Sequence, residues 1–147
     1  MCRRRQAAVD AAGRVTMPYH PGFYAYRTDG SWTPGNVTIV YNNTSFNTGG
    51  HYSTSTGRFT APVTGYYRFF TSMHSSTDKS GRHALYKNGT HWTGSGGGAI
   101  GTGDWRQLNL HYIGYISAGD YVSAYCANGA YVHGDGNWGS WGAELLG

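Results

Sequence analysis

Apolar and polar positions alternate with a period of two along most of this chain, a pattern that predicts strands. Residues 65–71 are the clearest case: Tyr67 and Phe69 fall on one face, Tyr66, Arg68 and Phe70 on the other. Aromatics on both faces imply one face in a core and the other against a neighbouring subunit. Residues 107–116 alternate in the same way, with Leu108, Leu110 and Tyr112 set against Gln107, Asn109 and His111. In residues 121–126 Val122, Ala124 and Cys126 share the inward face. Residues 23–26, the β-branched run 37–41, and residues 52, 58–61, 82–87 and 141–146 complete the predicted strands, while 42–50 reads as a loop. Nowhere do apolar residues recur at i, i+3, i+4, i+7, so little helix is expected.

The breaks between strands have their own chemistry. Asn88-Gly89 is a two-residue hairpin turn, because both residues accept positive φ. Thr56-Gly57 and Ala118-Gly119-Asp120 also turn the chain, and Pro62 ends a pairing because it has no N–H to donate. Short strands at this spacing imply two packed antiparallel sheets. Counting back from the last strand, the tight turns at 88–89 and 117–120 fall at the end that carries the C-terminus. The longer stretches 74–81, 94–104 and 127–140 fall at the far end, where a rigid sandwich usually carries its binding loops.

Composition agrees with an all-β chain: 24 glycines and 16% aromatics, but only 12% charged residues. Its 147 residues suffice for one domain with a real core. The net charge of +4 owes much to Arg3, Arg4 and Arg5, and no basic stripe interleaved with aromatics follows, which argues against nucleic-acid binding. No segment is apolar and long enough to span a membrane. Residues 1–10 hold no apolar signal-peptide core, so export by lysis or particle assembly is expected unless a leader precedes Met1. Cys2 and Cys126 make no disulfide framework, and Cys126 reads as a small buried hydrophobe. The Asn-x-Ser/Thr sequons at Asn36, Asn42, Asn43 and Asn88 read as incidental.

Phe23, Phe46-Asn47, Tyr52, Gly57, Phe59, Pro62, Gly65, Tyr67, Phe69, Asn88-Gly89, Gly119-Asp120, Val122, Trp141 and Leu145 together resemble the globular head of complement C1q, of the C1q/tumour-necrosis-factor superfamily. The resemblance implies a ten-stranded jelly-roll sandwich of two antiparallel sheets, assembled as a homotrimer, with Phe46 a buried aromatic. It divides the chain into an N-terminal arm, residues 1–22, and a head, residues 23–147. The lead-in GRVTMPYHPGF (residues 13–23) is similar to that of such heads in phage virion proteins. Two positions depart from the family's pattern: Trp141 stands where phenylalanine is usual and Ala143 where glycine is usual. There is no collagen-like Gly-X-Y stalk.

Neither a paired-acid site nor a nucleophile elbow, phosphate loop or zinc motif is present, so no catalytic residue, metal site or cofactor is expected. Gly96-Gly97-Gly98 lacks the lysine and following helix of a phosphate cradle and reads as a flexible loop. Some relatives bind Ca²⁺ through loop oxygens; Asp104, Asp135 and Asn137 would be the equivalent set here, although a polar turn is the preferred reading. The ligand-binding candidates are Trp92, Asp104, Trp105, Tyr131, His133, Asp135, Asn137 and Trp138, all placed at or beside far-end loops. Exposed indoles offer an apolar face and one N–H, which suits sugar rings or protein contact. The expected function is a non-enzymatic head of a virion or extracellular surface fibre, joined to an upstream fibre or particle protein and binding a cell-surface glycan or protein receptor. The alternatives are a purely structural trimerising or decorating protein, and a secreted C1q-like lectin or immune protein.

Overall fold

The computed structural model describes residues 7–30, 32–33, 35–76, 81–97, 105–127, 132–134 and 138–146. Its strands, in chain order, are β1 (Ala8–Val9), β2 (Val15–Thr16), β3 (Gly22–Tyr26), β4 (Trp32–Thr33), β5 (Val37–Thr38), β6 (Asn43–Thr48), β7 (Tyr52–Ser53) and β8 (Arg58–Thr60). They continue as β9 (Gly65–Ser76), β10 (Gly81–Lys87), β11 (Thr90–Gly97), β12 (Trp105–Ile116), β13 (Tyr121–Ala127), β14 (Val132–His133) and β15 (Ser140–Leu145). Apart from the arm hairpin β1–β2, they form two sheets. One runs β11-β10-β13-β8-β7 with β5 added on β13; the other runs β4-β14-β9-β15-β3-β6 with β12 added on β9. Every pairing is antiparallel.

The core lies where the predicted alternation puts it. Phe23, Tyr67, Phe69 and Trp141 from the larger sheet meet Tyr52, Phe59, Leu85, Val122 and Cys126 from the smaller one. Phe23 stacks on Tyr52 with ring centroids 4.5 Å apart and meets Trp141 edge-on at 5.3 Å. Each such ring contributes roughly 1.5–3 kcal/mol through burial. A buried polar seam crosses this core: Thr71 Oγ1 lies 3.0 Å from His83 Nε2 and donates to the Ser140 carbonyl at 3.0 Å, while the Tyr41 hydroxyl donates to the Ser72 carbonyl. Burial lowers the His83 pKa from 6.5 to about 4, with a backbone hydrogen bond to Leu108 opposing the shift.

The near-end turn is built as expected. Asn88 and Gly89 have φ of 50° and 81°. The Asn88 carboxamide accepts from the Tyr121 N–H and donates to the Asp120 carboxylate, both at 2.9 Å. That bond, with the Ser117 N–H and Lys87, brings the Asp120 pKa down to about 2.

Three expectations fail. Residues 42–50 are not all loop: β6 pairs along β3, and a register shift between Tyr24 and Ala25 leaves Phe46 opposite Tyr24 on the outer, exposed face instead of in the core. Only Val37–Thr38 of the run 37–41 is strand, although Ile39 and Tyr41 still point into the core. Tyr52 replaces the missing ladder there, its hydroxyl donating to the Tyr41 carbonyl and accepting from the Tyr41 N–H. β9, β11 and β14 extend into stretches expected to be far-end loops. Among the described residues there are fifteen strand segments, of which β1, β2, β4, β5, β7 and β14 are two-residue pieces.

Candidate functional site

Three far-end candidates come together around a histidine that the sequence reading did not select. β12 pairs with β9 so that Gln107 faces His74 and Trp105 faces Ser76. Period two then sets Trp105, Gln107 and His74 on one face, with Trp105 diagonal to His74, within reach for long side chains. β14 joins the far end of β9 through Val132 opposite Ser75, which delivers His133. Trp138 arrives just before β15.

The His74 ring lies 5.4 Å from Trp105, 5.4 Å from Trp138 and 6.1 Å from His133, centroid to centroid. The two indoles are 55% and 53% exposed, whereas the two imidazoles are half-buried. The Gln107 amide donates to the Trp138 carbonyl at 2.5 Å and to the Ser72 hydroxyl, so a strand residue fixes where Trp138 sits. Chemically the group is a shallow surface of apolar ring faces with polar ring edges.

Asp104, Tyr131, Asp135 and Asn137 lie outside the described residues. The calcium oxygens considered from sequence therefore lie there too. Among the described residues no group of three or more His, Cys, Asp or Glu could hold a metal. Trp92 corrects an expectation: it stands within β11 and is committed to packing, not to a loop. Its ring meets Phe69 edge-on at 5.6 Å and Tyr112 at 4.8 Å, and Lys87 Nζ lies 5.7 Å over it. Gly114 makes room for it, since a Cβ there would sit 2.3 Å from the indole. The missed residue, His74, was legible in principle. Carrying the alternation of Phe69, Thr71, Met73 and Ser75 onward from residue 71 puts His74 on the outer face of β9.

The outer face of the larger sheet is the second notable surface. Reading across the registers, Tyr115 faces Tyr66, then Ile113, Arg68 and Glu144 form a row, and His111, Phe70, Gly142, Tyr24 and Phe46 form the next. Tyr66, Tyr115, Ile113 and Phe46 are exposed. Tyr66 meets Tyr115 edge-on at 5.2 Å, Phe70 lies 6.0 Å from Tyr24, and Arg68 is ion-paired with Glu144. Gly142 admits the Phe70 ring, which would lie 2.2 Å from a Cβ. This apolar face spans several strands.

A family profile, the C1q domain, matches residues 22–98. No curated protein matches the chain. Many solved structures share its fold, three of them as follows. The Eiger TNF of S. frugiperda superposes with a TM-score of 0.73 at 10% identity, over 87% of this chain and 93% of that one. The globular domain of zebrafish complement 1qA protein gives 0.70 at 15% identity, over 86% and 98%. Murine APRIL gives 0.71 at 9% identity, over 86% and 99%.

Proposed function

Because the chain belongs to the C1q domain family, whose members commonly trimerise, bind partners and act outside cells, we propose that it is a trimeric, non-enzymatic head of a virion or surface fibre that recognises a cell-surface receptor or glycan through its far end. The observation that carries the reading is the outer face of the larger sheet. Tyr66, Tyr115, Ile113, Phe70, Tyr24 and Phe46 lie on that face around the Arg68–Glu144 ion pair, and several large apolar side chains left exposed on one face mark an interaction site. A threefold arrangement covers that face three times over and closes. It leaves the far end, with Trp105, Trp138 and the two imidazoles, facing away from the arm.

Three copies of one weak site raise apparent affinity by ~10²–10⁴. The fibre setting rests on the likeness of the lead-in, residues 13–23, to that of heads in phage virion proteins. No helix among the described residues is long and apolar enough to cross a membrane. The test is binding of fluorescent trimer to a panel of intact cells, beside an Ile113→Asp variant that puts a charge into the proposed interface. The native chain should label at least one cell type and the variant should lose labelling as it dissociates; labelling of no cell type would sink the recognition reading.

A further inference from the structure

The near end of the chain carries two apolar features that fit one another and that a single copy leaves apart. We propose that the arm hairpin β1–β2 of each copy docks its valine pair into the near-end pocket of a neighbouring copy, so that three arms interlock at the base of the heads. The proposal rests on the threefold assembly put forward above and names a second contact within it.

The hairpin is shaped before it meets a partner. Asp10 Oδ1 accepts from the Ala12 and Arg14 N–H groups at 2.9 and 3.0 Å, and Oδ2 accepts from Arg14 Nε at 2.7 Å. Gly13 turns the chain with a φ of 79°. Val9 and Val15 stand directly opposite each other across the ladder, so both project from one side, and they are 68% and 63% exposed. A two-stranded hairpin with its apolar pair in water is marginal by itself. The head of the same chain leaves the pair uncovered, so its cover comes from another molecule.

The pocket has the matching character. Met17, Tyr19, His20, Pro21, Val63 and Leu145 line a cavity of about 260 Å³. That is smaller than the roughly 300–1,000 Å³ of ordinary small-molecule sites, but enough for a pair of branched aliphatic side chains. Among the described residues no lysine, arginine or carboxylate lines it, so aliphatic groups enter without stripping water from a charge. Its walls are fixed in place. His20 Nε2 donates to the Leu145 carbonyl, the Leu145 N–H donates to the Pro21 carbonyl at 3.0 Å, and the Tyr67 hydroxyl donates to the Val63 carbonyl at 2.9 Å.

The occupant is a second copy because the pocket adjoins the face proposed for contact between copies. The Leu146 N–H donates to the Tyr66 carbonyl at 2.8 Å, and Tyr66 meets Tyr115 in the first row of that face. Leu146 is itself exposed at the junction. Arm and pocket lie at the same end of every chain, so copies that share the face bring one arm beside the next pocket. A contact between unlike patches closes on itself around a threefold axis, each copy giving one arm and receiving one.

The experiment is chemical trapping in the full chain, with Cys2→Ser so that buried Cys126 is the only native thiol. A tagged chain carrying Val15→Cys and an untagged chain carrying Val63→Cys are assembled together and treated with a short bis-maleimide. A covalent pair of one tagged and one untagged chain should appear on a denaturing gel, and none when Ser55→Cys, exposed at the turn between β7 and β8, replaces Val63→Cys. Placed in one chain, Val15→Cys and Val63→Cys should give linked dimers and trimers. A link closed within a single chain overturns the proposal, because the arm then lies on its own head. A chain that sediments as a trimer yet gives no mixed pair overturns it too, and leaves the threefold assembly standing. A native chain that is monomeric overturns both. Should the cysteine variants fail to assemble, Val9→Asp with Val15→Asp changes only the exposed hairpin pair. It should raise the concentration at which the trimer half-dissociates about tenfold with circular dichroism unchanged; an unaltered dissociation overturns the proposal.

Discussion

Acidification from pH 7 to pH 4.5 should cost the fold about 2 kcal/mol through His83 alone. The imidazole is fully buried between the sheets, where Thr71 holds its Nε2, and burial lowers its pKa from 6.5 to about 4. Between those two values the unfolded chain takes up a proton that the native protein refuses. The unfolded state is then favoured as the pH falls. Stability from this residue is whole above pH 6.5, declines through the interval and is lost below the native value. A shift of about 2.5 units is worth roughly 3 kcal/mol when complete, and most of it is spent by pH 4.5. Acidification acts on the rest of the chain as well, so the comparison must be with a variant. Guanidinium unfolding of the wild type and of His83→Gln, at one protein concentration and several pH values, isolates the contribution, since assembly makes stability concentration-dependent. The wild type should lose about 2 kcal/mol more than the variant between pH 7 and 4.5. Parallel losses in the two proteins, or a His83 imidazole signal titrating near pH 6.5 by NMR, would refute the reasoning.

Three further outcomes follow from the packing. Gly114→Ala drives a Cβ into the Trp92 indole and should cost about 1–3 kcal/mol, as overpacking does, with a changed near-ultraviolet circular dichroism; Trp92→Leu in the same chain should recover part of that loss in a double-mutant cycle. Asn88→Ala removes two hydrogen bonds and a residue suited to φ of 50°, so it should lower the unfolding free energy by about 1–2 kcal/mol in chemical denaturation. The Cys126 thiol is buried and pushed up to about 11, so alkylation at pH 8 followed by peptide mass spectrometry should leave it unmodified in native protein and label it after denaturation.

How much of this could be read from the sequence depended on how strongly burial marks one face of a strand. β9 and β12 each bury one set of alternate residues, and β13 buries Val122, Ala124 and Cys126, so their inward faces and the aromatic core were legible from period two. β6 was not: Asn43–Thr48 contains no buried residue, and its strand character comes from pairing with β3, which no local pattern reports. The opposite error arose at residues 37–41, where β-branched residues suggested a strand. Ile39 and Tyr41 do point inward, but beyond one backbone bond from the Ile39 N–H to the Ala124 carbonyl the pairing stops, and side-chain bonds from Tyr52 hold Tyr41. Trp92 looked like a loop residue because glycines follow it, yet the missing Cβ of Gly114 on another strand gives it a packing place. Trp105, His133 and Trp138 were picked out by residue type, and only the register of β9, β12 and β14 brings them to His74.

The claim beneath all of this is that the outer face of the β12-β9-β15-β3-β6 sheet joins three copies of the chain. Sedimentation equilibrium at micromolar concentration measures it directly. The account expects a mass three times that of the 16.0 kDa chain, falling to the single-chain mass with the fold retained when Ile113 is replaced by aspartate. A native chain that stays monomeric at those concentrations, or a trimer indifferent to a charge at position 113, would contradict it.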